Sequence, residues 1–229
     1  MRYDKNRSTI SRQDNEQLAL SKVFIVGSGG LGGYVLEMLA RIGVGHISLA
    51  DGDVFDDTNL NRQILSSEDV LGQKKVEVAK KRVRRINSDV VLNTYDDYIT
   101  RENVVERLQG HDVVVDALDN IETRFLLQEA CEELGIPLIH GAIAGWFGQV
   151  ATIFPGDRTL DSIYQHQEKT GVETTLGNLS FPPALVASLQ VAETIKVLLH
   201  RGETLRRKIM FLDLLTQDVH VFELDSSDA

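Results

Sequence analysis

The sequence predicts an α/β domain built on a doubly wound, mainly parallel sheet, and three observations carry that reading. Short apolar runs alternate with amphipathic stretches of helical period between residues 22 and 141. The first apolar run breaks into a glycine cluster at Gly27. The runs 46–51 and 112–116 each end in an aspartate, at the strand ends that border the ligand crevice of such sheets.

The elements follow in order. Residues 22–27 (KVFIVG) read as a buried parallel strand, 31–42 as a helix and 46–51 (HISLAD) as a second strand. Residues 73–86 have helical spacing, with Val76, Ala79, Val83 and Ile86 on one face. A strand over 90–95 leads to a short helix over 100–108 with Thr100 as N-cap. Residues 112–116 (DVVVD) form a strand, 120–134 a helix and 137–141 a further strand. Beyond Gly141 the alternation stops. A strand over 149–154 precedes a polar loop over 155–179, a length usual for functional or disordered segments. Pro182-Pro183 opens a helix that runs to about His200, since proline is accepted in a first turn. Closing strands at 208–214 and 218–224 complete the C-terminal part. With no linker and no repeat, residues 1–229 read as one domain, with an N-terminal arm (1–21) and a long crossover loop (155–179).

Composition narrows the function. Hydrophobic residues make up 42% and charged residues 25%, a soluble globular balance. The apolar stretch 184–199 is interrupted by Ser188, Gln190, Glu193, Thr194 and Lys196, so it reads as a buried helix and not a membrane span. The first twelve residues are polar, with no leader-like apolar segment, so a cytoplasmic location is expected. A net charge of −10 argues against an extended nucleic-acid surface. The one basic run, Lys74 to Arg85, reads mostly as a solvated helix face. Cys131 is the single cysteine and reads as a small core residue, which excludes an internal disulfide and a cysteine-rich zinc site.

The segment Gly27-Ser28-Gly29-Gly30-Leu31-Gly32-Gly33 joins the first strand to the first helix, where backbone N–H groups can approach phosphate. Asp51 and Asp53, at the end of the second strand, are placed to bind ribose hydroxyls. Spacing alone permits NAD or FAD. Three further clusters favour a nucleoside triphosphate. Asn59, Arg62 and Gln63 offer amides and a forked cation just past the acidic strand end. Lys75 lies early in the next helix, after Gly72, and Asp116 to Asn120, followed by Arg124, ends a strand, where an acid can hold a phosphate-bridging magnesium ion.

These motifs resemble the ThiF/MoeB/HesA family, relatives of ubiquitin-activating enzymes. The matching stretches include KVFIVGSGGLGGYVLEMLARIGVGHISLADGDVFDDTNLNRQ, LGQKKVEVAK, VVDALDNIETR, PLIHGAIAGWFGQVATIFP and SLQVAETIKVL. The resemblance implies a Rossmann-type fold and an ATP-dependent adenylyltransferase. It implies that Gly27, Gly29, Gly30 and Gly32 cradle the nucleotide and that Asp51 and Asp53 meet its ribose. It further implies that Asn59, Arg62, Gln63 and Lys75 contact the phosphates, with Arg62 the main charge stabiliser. Asp119 would hold Mg2+, with Asn120 adjacent. Members of the family are homodimers in which an N-terminal cation reaches the partner's ATP, a position held here by Lys5, with Arg7 as substitute. The implied substrate is the C-terminal glycine of a ThiS/MoaD-type sulfur carrier, serving thiamine, molybdenum or tungsten cofactor synthesis. Many members carry two Cys-x-x-Cys pairs for zinc, or a cysteine in the crossover loop. This chain has neither, so no zinc is expected, and a separate sulfur donor is. The competing readings are a tRNA threonylcarbamoyladenosine dehydratase-like enzyme, a non-catalytic partner keeping the same fold, and a dinucleotide-dependent dehydrogenase.

Overall fold

The computed structural model describes residues 2–6, 8–164 and 173–224. Eight strands form one sheet in the order β3-β2-β1-β4-β5-β6-β7-β8. β1 (Lys22–Val26), β2 (His46–Ala50), β3 (Val91–Tyr95), β4 (Val113–Asp116) and β5 (Leu138–Ala144) are parallel. β6 (Phe147–Ile153), β7 (Lys208–Asp213) and β8 (Asp218–Glu223) continue the sheet antiparallel. The chain leaves β1 for β2 on one side and returns to β4 on the other. That reversal opens a crevice at the carboxyl ends of β1 and β4.

Alternation along the central strands fills two cores. Val23, Ile25, Val113 and Val115 face one side, with α2 (Gly30–Ile42), α3 (Lys75–Ile86) and α8 (Pro182–Leu199). Phe24, Val26 and Val114 face the other, with α4 (Val104–Leu108) and α5 (Ile121–Leu134). The helix α8 is long and apolar enough to cross a membrane, but half of it is buried in the molecule. Its Gln190 Nε2 donates to the carbonyls of Asp116 (2.7 Å) and Ile139 (3.4 Å). Gly141 makes that approach possible, because a Cβ there would lie 2.4 Å from the Gln190 side chain.

Four expectations change. The N-terminal arm contains a helix, α1 (Arg12–Leu20), closed by a reciprocal cap between Ser11 and Asp14. The helix expected at 100–108 begins only at Val104, with Asn103 and not Thr100 as N-cap; Asn103 Oδ1 instead accepts from the Thr100 amide. β5 and β6 each extend further toward their shared turn at Gly145 than the apolar pattern suggested, pairing seven residues for seven. The crossover loop carries two short helices, α6 (Thr159–Ile163) and α7 (Glu173–Leu176).

Candidate functional site

The crevice at the strand ends holds a pocket lined by Gly27, Gly29 and Gly30 from the loop after β1 and by Asp51 and Asp53 after β2. Asp97, Tyr98 and Ile99 follow β3, and Ala117 to Asn120 follow β4. Arg62, Gln63, Lys75, Arg124, Ile143 and Asn178 complete the wall. Gly27 has φ +93°, and a Cβ there would meet the Ala117 carbonyl oxygen at 2.7 Å. Only glycine turns the chain so closely between β1 and β4. Gly29 is the N-cap of α2 and makes no side-chain cap, which leaves the first N–H groups of that helix for an anion.

Asp51 organises this loop. Its Oδ2 accepts from the Ser28 amide (2.7 Å) and hydroxyl (2.8 Å), and its Oδ1 accepts from the Asp53 amide (2.9 Å). Asp53 faces the pocket and is shared: Oδ2 accepts from Lys75 Nζ at 2.8 Å and Oδ1 from Tyr98 Oη at 2.5 Å. Partial burial pushes the Asp53 carboxyl up. The hydrogen bonds from Lys75 and Tyr98, with the lysine charge, outweigh it and hold the group below its ordinary value. Tyr98 is raised in turn, first by its hydrogen bond to Asp53.

Arg62 Nη1 donates to the Thr58 carbonyl and to Asn61 Oδ1, both at 2.9 Å, which fixes the guanidinium at the rim. Gln63 is buried beside the glycine loop, and its Oε1 finds no hydrogen-bond donor among the described residues. Asp119 is exposed on the pocket wall. Asn120 caps α5 through Thr123 N at 2.8 Å. A single exposed carboxylate beside a phosphate loop fits Mg2+, which keeps several waters and takes one or two protein carboxylates plus phosphate oxygens.

Four expected site residues lie outside the pocket of their own chain. Gly32 is a packing glycine inside α2, where a Cβ would sit 1.9 Å from the Gly27 carbonyl oxygen. Asn59 is buried, and its side chain accepts from the Asp56 amide to close a short helical turn. Asp116, read as a possible ion ligand, is fully buried: His140 Nδ1 lies 2.7 Å from its Oδ2 and the Leu118 amide donates to its Oδ1, so it faces no ligand. Lys5 is exposed and outside the pocket of its own chain, and Arg7 lies outside the described residues.

Sequence reasoning missed Asp97, Tyr98 and Ile99, although the rule that selected residues after β1, β2 and β4 applies equally after β3. Asn178 gave no signal. It reaches the pocket because the Gly145 amide donates to the Gly177 carbonyl at 2.8 Å and Asn61 Nδ2 to its own carbonyl at 3.1 Å.

An α/β sheet whose crevice combines a glycine loop at a helix N-terminus, three cations and an exposed carboxylate defines a nucleotide-binding enzyme core. The ThiF family model matches residues 3–229, and the chain belongs to the ThiF family. The chain is 38% identical over 209 residues to a SAMP-activating enzyme E1 of Haloferax volcanii, covering 90% of this chain and 77% of that protein. It is 35% identical over 222 residues to a sulfur carrier protein adenylyltransferase of Thermus thermophilus, covering 90% and 79%. The crystal structure of Escherichia coli MccB with MccA-N7isoASN superposes with a TM-score of 0.89 at 22% identity, covering 100% of this chain and 74% of that one, a likeness of fold. Family and relatives make the chain an ATP-dependent adenylyltransferase.

Proposed function

We propose that this chain adenylates the C-terminal glycine carboxylate of a ubiquitin-like sulfur carrier of the ThiS/MoaD type. The observation that carries the reading is the convergence of Arg62, Lys75 and Asp119 on the pocket that the glycine loop opens. A carboxylate is ionised at neutral pH and attacks the α-phosphorus without a general base. The carboxylate oxygen–phosphorus bond forms, the bond to the bridging oxygen breaks and pyrophosphate leaves. Arg62 and Lys75 neutralise the charge that develops on the phosphates. Asp119 would hold Mg2+, which would supply further neutralisation of phosphate charge. The names of the two relatives, one acting on SAMP and one on a sulfur carrier, support the substrate class.

Cys131 supports a separate sulfur donor. It is the single cysteine of the chain, and burial pushes its thiol up to about 12, against thiolate chemistry on this polypeptide.

The N-terminal arm supports a homodimer with shared sites. Tyr3 Oη accepts from Asn87 Nδ2 at 2.9 Å, and Arg2 donates to the Ile86 carbonyl. The Tyr3 ring also covers Gly43, the C-cap of α2. These contacts lie at the C-terminal ends of α2 and α3, whereas the phosphate loop and Lys75 are at their N-terminal ends. Thirteen helical residues separate those ends of α2 by about 20 Å, and the two residues from Tyr3 to Lys5 span about 7 Å at most. Lys5 therefore serves a second copy's pocket better than its own.

The test is ATP–pyrophosphate exchange with Mg2+ and ThiS/MoaD-type carriers. Exchange that requires an intact terminal Gly-Gly is expected. Exchange with a truncated carrier, or NAD bound more tightly than ATP, would overturn the reading.

A further inference from the structure

A closed ring of polar side chains, with Asp116, Arg124 and His140 buried and Gln149 and Tyr164 partly buried, lies beside the pocket, and the adenylation chemistry does not use most of it. Asp116 Oδ2 accepts from His140 Nδ1 at 2.7 Å, so the imidazole places its proton there and presents Nε2 as an acceptor. Burial pushes His140 below its ordinary value, against the opposing pull of Asp116. His140 Nε2 lies 3.1 Å from Gln149 Nε2 and 3.3 Å from Tyr164 Oη. Gln149 Nε2 donates to the same Tyr164 hydroxyl at 2.5 Å. Arg124 closes the ring. Its Nη1 donates to Tyr164 Oη at 3.1 Å, its Nη2 to the Leu118 carbonyl at 2.6 Å, and its Nε faces Asp116 Oδ2 at 3.5 Å.

Tyr164 enters this ring from the crossover, as the C-cap of α6. That short helix is fastened to α5 by Gln128, one turn beyond Arg124. Gln128 Nε2 donates to Asp161 Oδ2 at 2.7 Å, and Gln128 Oε1 accepts from the Leu160 amide at 2.8 Å. One face of α5 thus grips both the backbone of α6 and its terminal tyrosine.

The ring ends on the turn that carries Asp119. The amide of Leu118 is held by Asp116 and its carbonyl by Arg124. On the other flank, Asn120 is locked as the N-cap of α5. Both neighbours of Asp119 are thus held, Leu118 by Arg124 and Asp116, and Asn120 by its cap, and Arg124 is bonded in turn to Tyr164. Mg2+ demands near-ideal octahedral geometry and is sensitive to how a carboxylate is aimed.

We propose that Tyr164 is a positioning residue for the metal–nucleotide site. Through Arg124 it fixes the turn from Asp116 to Asn120 and aims Asp119 at a phosphate-bound Mg2+. The inference rests on Asp119 as the metal carboxylate, and Tyr164 is not among the residues that line the pocket.

The experiment measures ATP affinity by calorimetry with saturating Mg2+ and with EDTA, for wild type, Tyr164→Phe, Asp119→Asn and the double variant. The ratio of the two affinities is the readout, with melting temperature recorded alongside. Groups that orient a metal-bound carboxylate are worth about 10–100-fold in metal affinity. Tyr164→Phe is expected to reduce the Mg2+ enhancement by about 10-fold while leaving the metal-free affinity within about twofold. Asp119→Asn is expected to abolish the enhancement, with no further loss in the double variant. A Tyr164→Phe protein with a lower melting temperature and an unchanged enhancement would show a structural role only and overturn the inference, leaving the Asp119 assignment intact. An unchanged enhancement in Asp119→Asn would overturn the metal assignment itself, and the inference with it.

Discussion

Lys75 Nζ lies 2.8 Å from Asp53 Oδ2, with the lysine buried and the carboxylate half-exposed at the mouth of the nucleotide pocket. The pair sets a cation beside the phosphate loop and holds it there through a partner that is itself tied to Tyr98. In the proposed reaction a triphosphate entering the pocket would find this charge already placed, so little reorganisation would accompany the chemistry.

Lys75→Met removes that cation and spares most of the side-chain volume. Adenylation is expected to fall by about 100-fold or more, equivalent to about 2.7 kcal/mol of transition-state stabilisation. Stability is expected to change by less than about 1 kcal/mol, because the pair is open to solvent on the Asp53 side. Pyrophosphate exchange and urea denaturation on the same preparation check both statements. A large loss of stability with normal turnover would mean that Lys75 serves the fold and not the phosphates.

The glycine loop gives a test that needs no substrate. Ala at Gly32 would put a Cβ 1.9 Å from the Gly27 carbonyl oxygen, backbone against backbone. Gly32→Ala is expected to cost about 3 kcal/mol or more. At Gly72, φ is +77° but no atom of the described residues lies within 4 Å of where a Cβ would stand, so Gly72→Ala carries backbone strain alone, about 1–2 kcal/mol. Equal losses in the two variants would refute the close packing of α2 on the loop after β1.

Acid should act first through the two histidines that burial holds below the ordinary value, His111 and the fully enclosed His140. The folded value of each is depressed below the ordinary 6.5, so the folded state favours the neutral ring. The stabilisation this provides is complete above pH 6.5 and is lost as pH falls through the depressed folded values. Asp53, also depressed, adds a second loss only below the ordinary carboxylate value of 3.8. Urea denaturation at pH 7.5 and pH 5 should show a drop in stability in the wild type and a smaller one in His140→Gln. Parallel curves for the two proteins would rule out His140 as the source.

What the sequence made legible is what local chemistry decides. Gly27 announced its loop because the φ of +93° there excludes other residues, and the strands announced themselves as apolar runs. The helix α1 was overlooked because it buries only Leu18 and so lacks an apolar stripe, although the Ser11–Asp14 cap was present to be read. Asp116 misled for a tertiary reason. An aspartate at a strand end in the crevice resembles a ligand group, and nothing nearby reveals that His140, 24 residues on, and Arg124 enclose it. Tyr98 is a similar case, since its tie to Asp53 joins the ends of two strands 45 residues apart.

The last prediction concerns two chains. Arg2 and Tyr3 are moored at the ends of α2 and α3 farthest from the phosphate loop, which leaves Lys5 exposed at that end of the molecule. If Lys5 completes a partner's pocket, damage to Lys5 and damage to Arg62 fall in different sites of a mixed dimer when they come from different chains. Lys5→Ala and Arg62→Ala proteins, each impaired alone, are therefore mixed under conditions that exchange subunits. One site of each heterodimer then carries both defects and the other carries none. A statistical mixture holds half its dimers as heterodimers, so about a quarter of wild-type activity should return. Because Lys5 would meet the polyphosphate chiefly in the transition state, Lys5→Ala should lower kcat more than it raises KM for ATP. Sedimentation velocity supplies the control for assembly. No recovery despite demonstrated exchange, or full activity in a monomer, would show that Lys5 acts within its own chain or not at all.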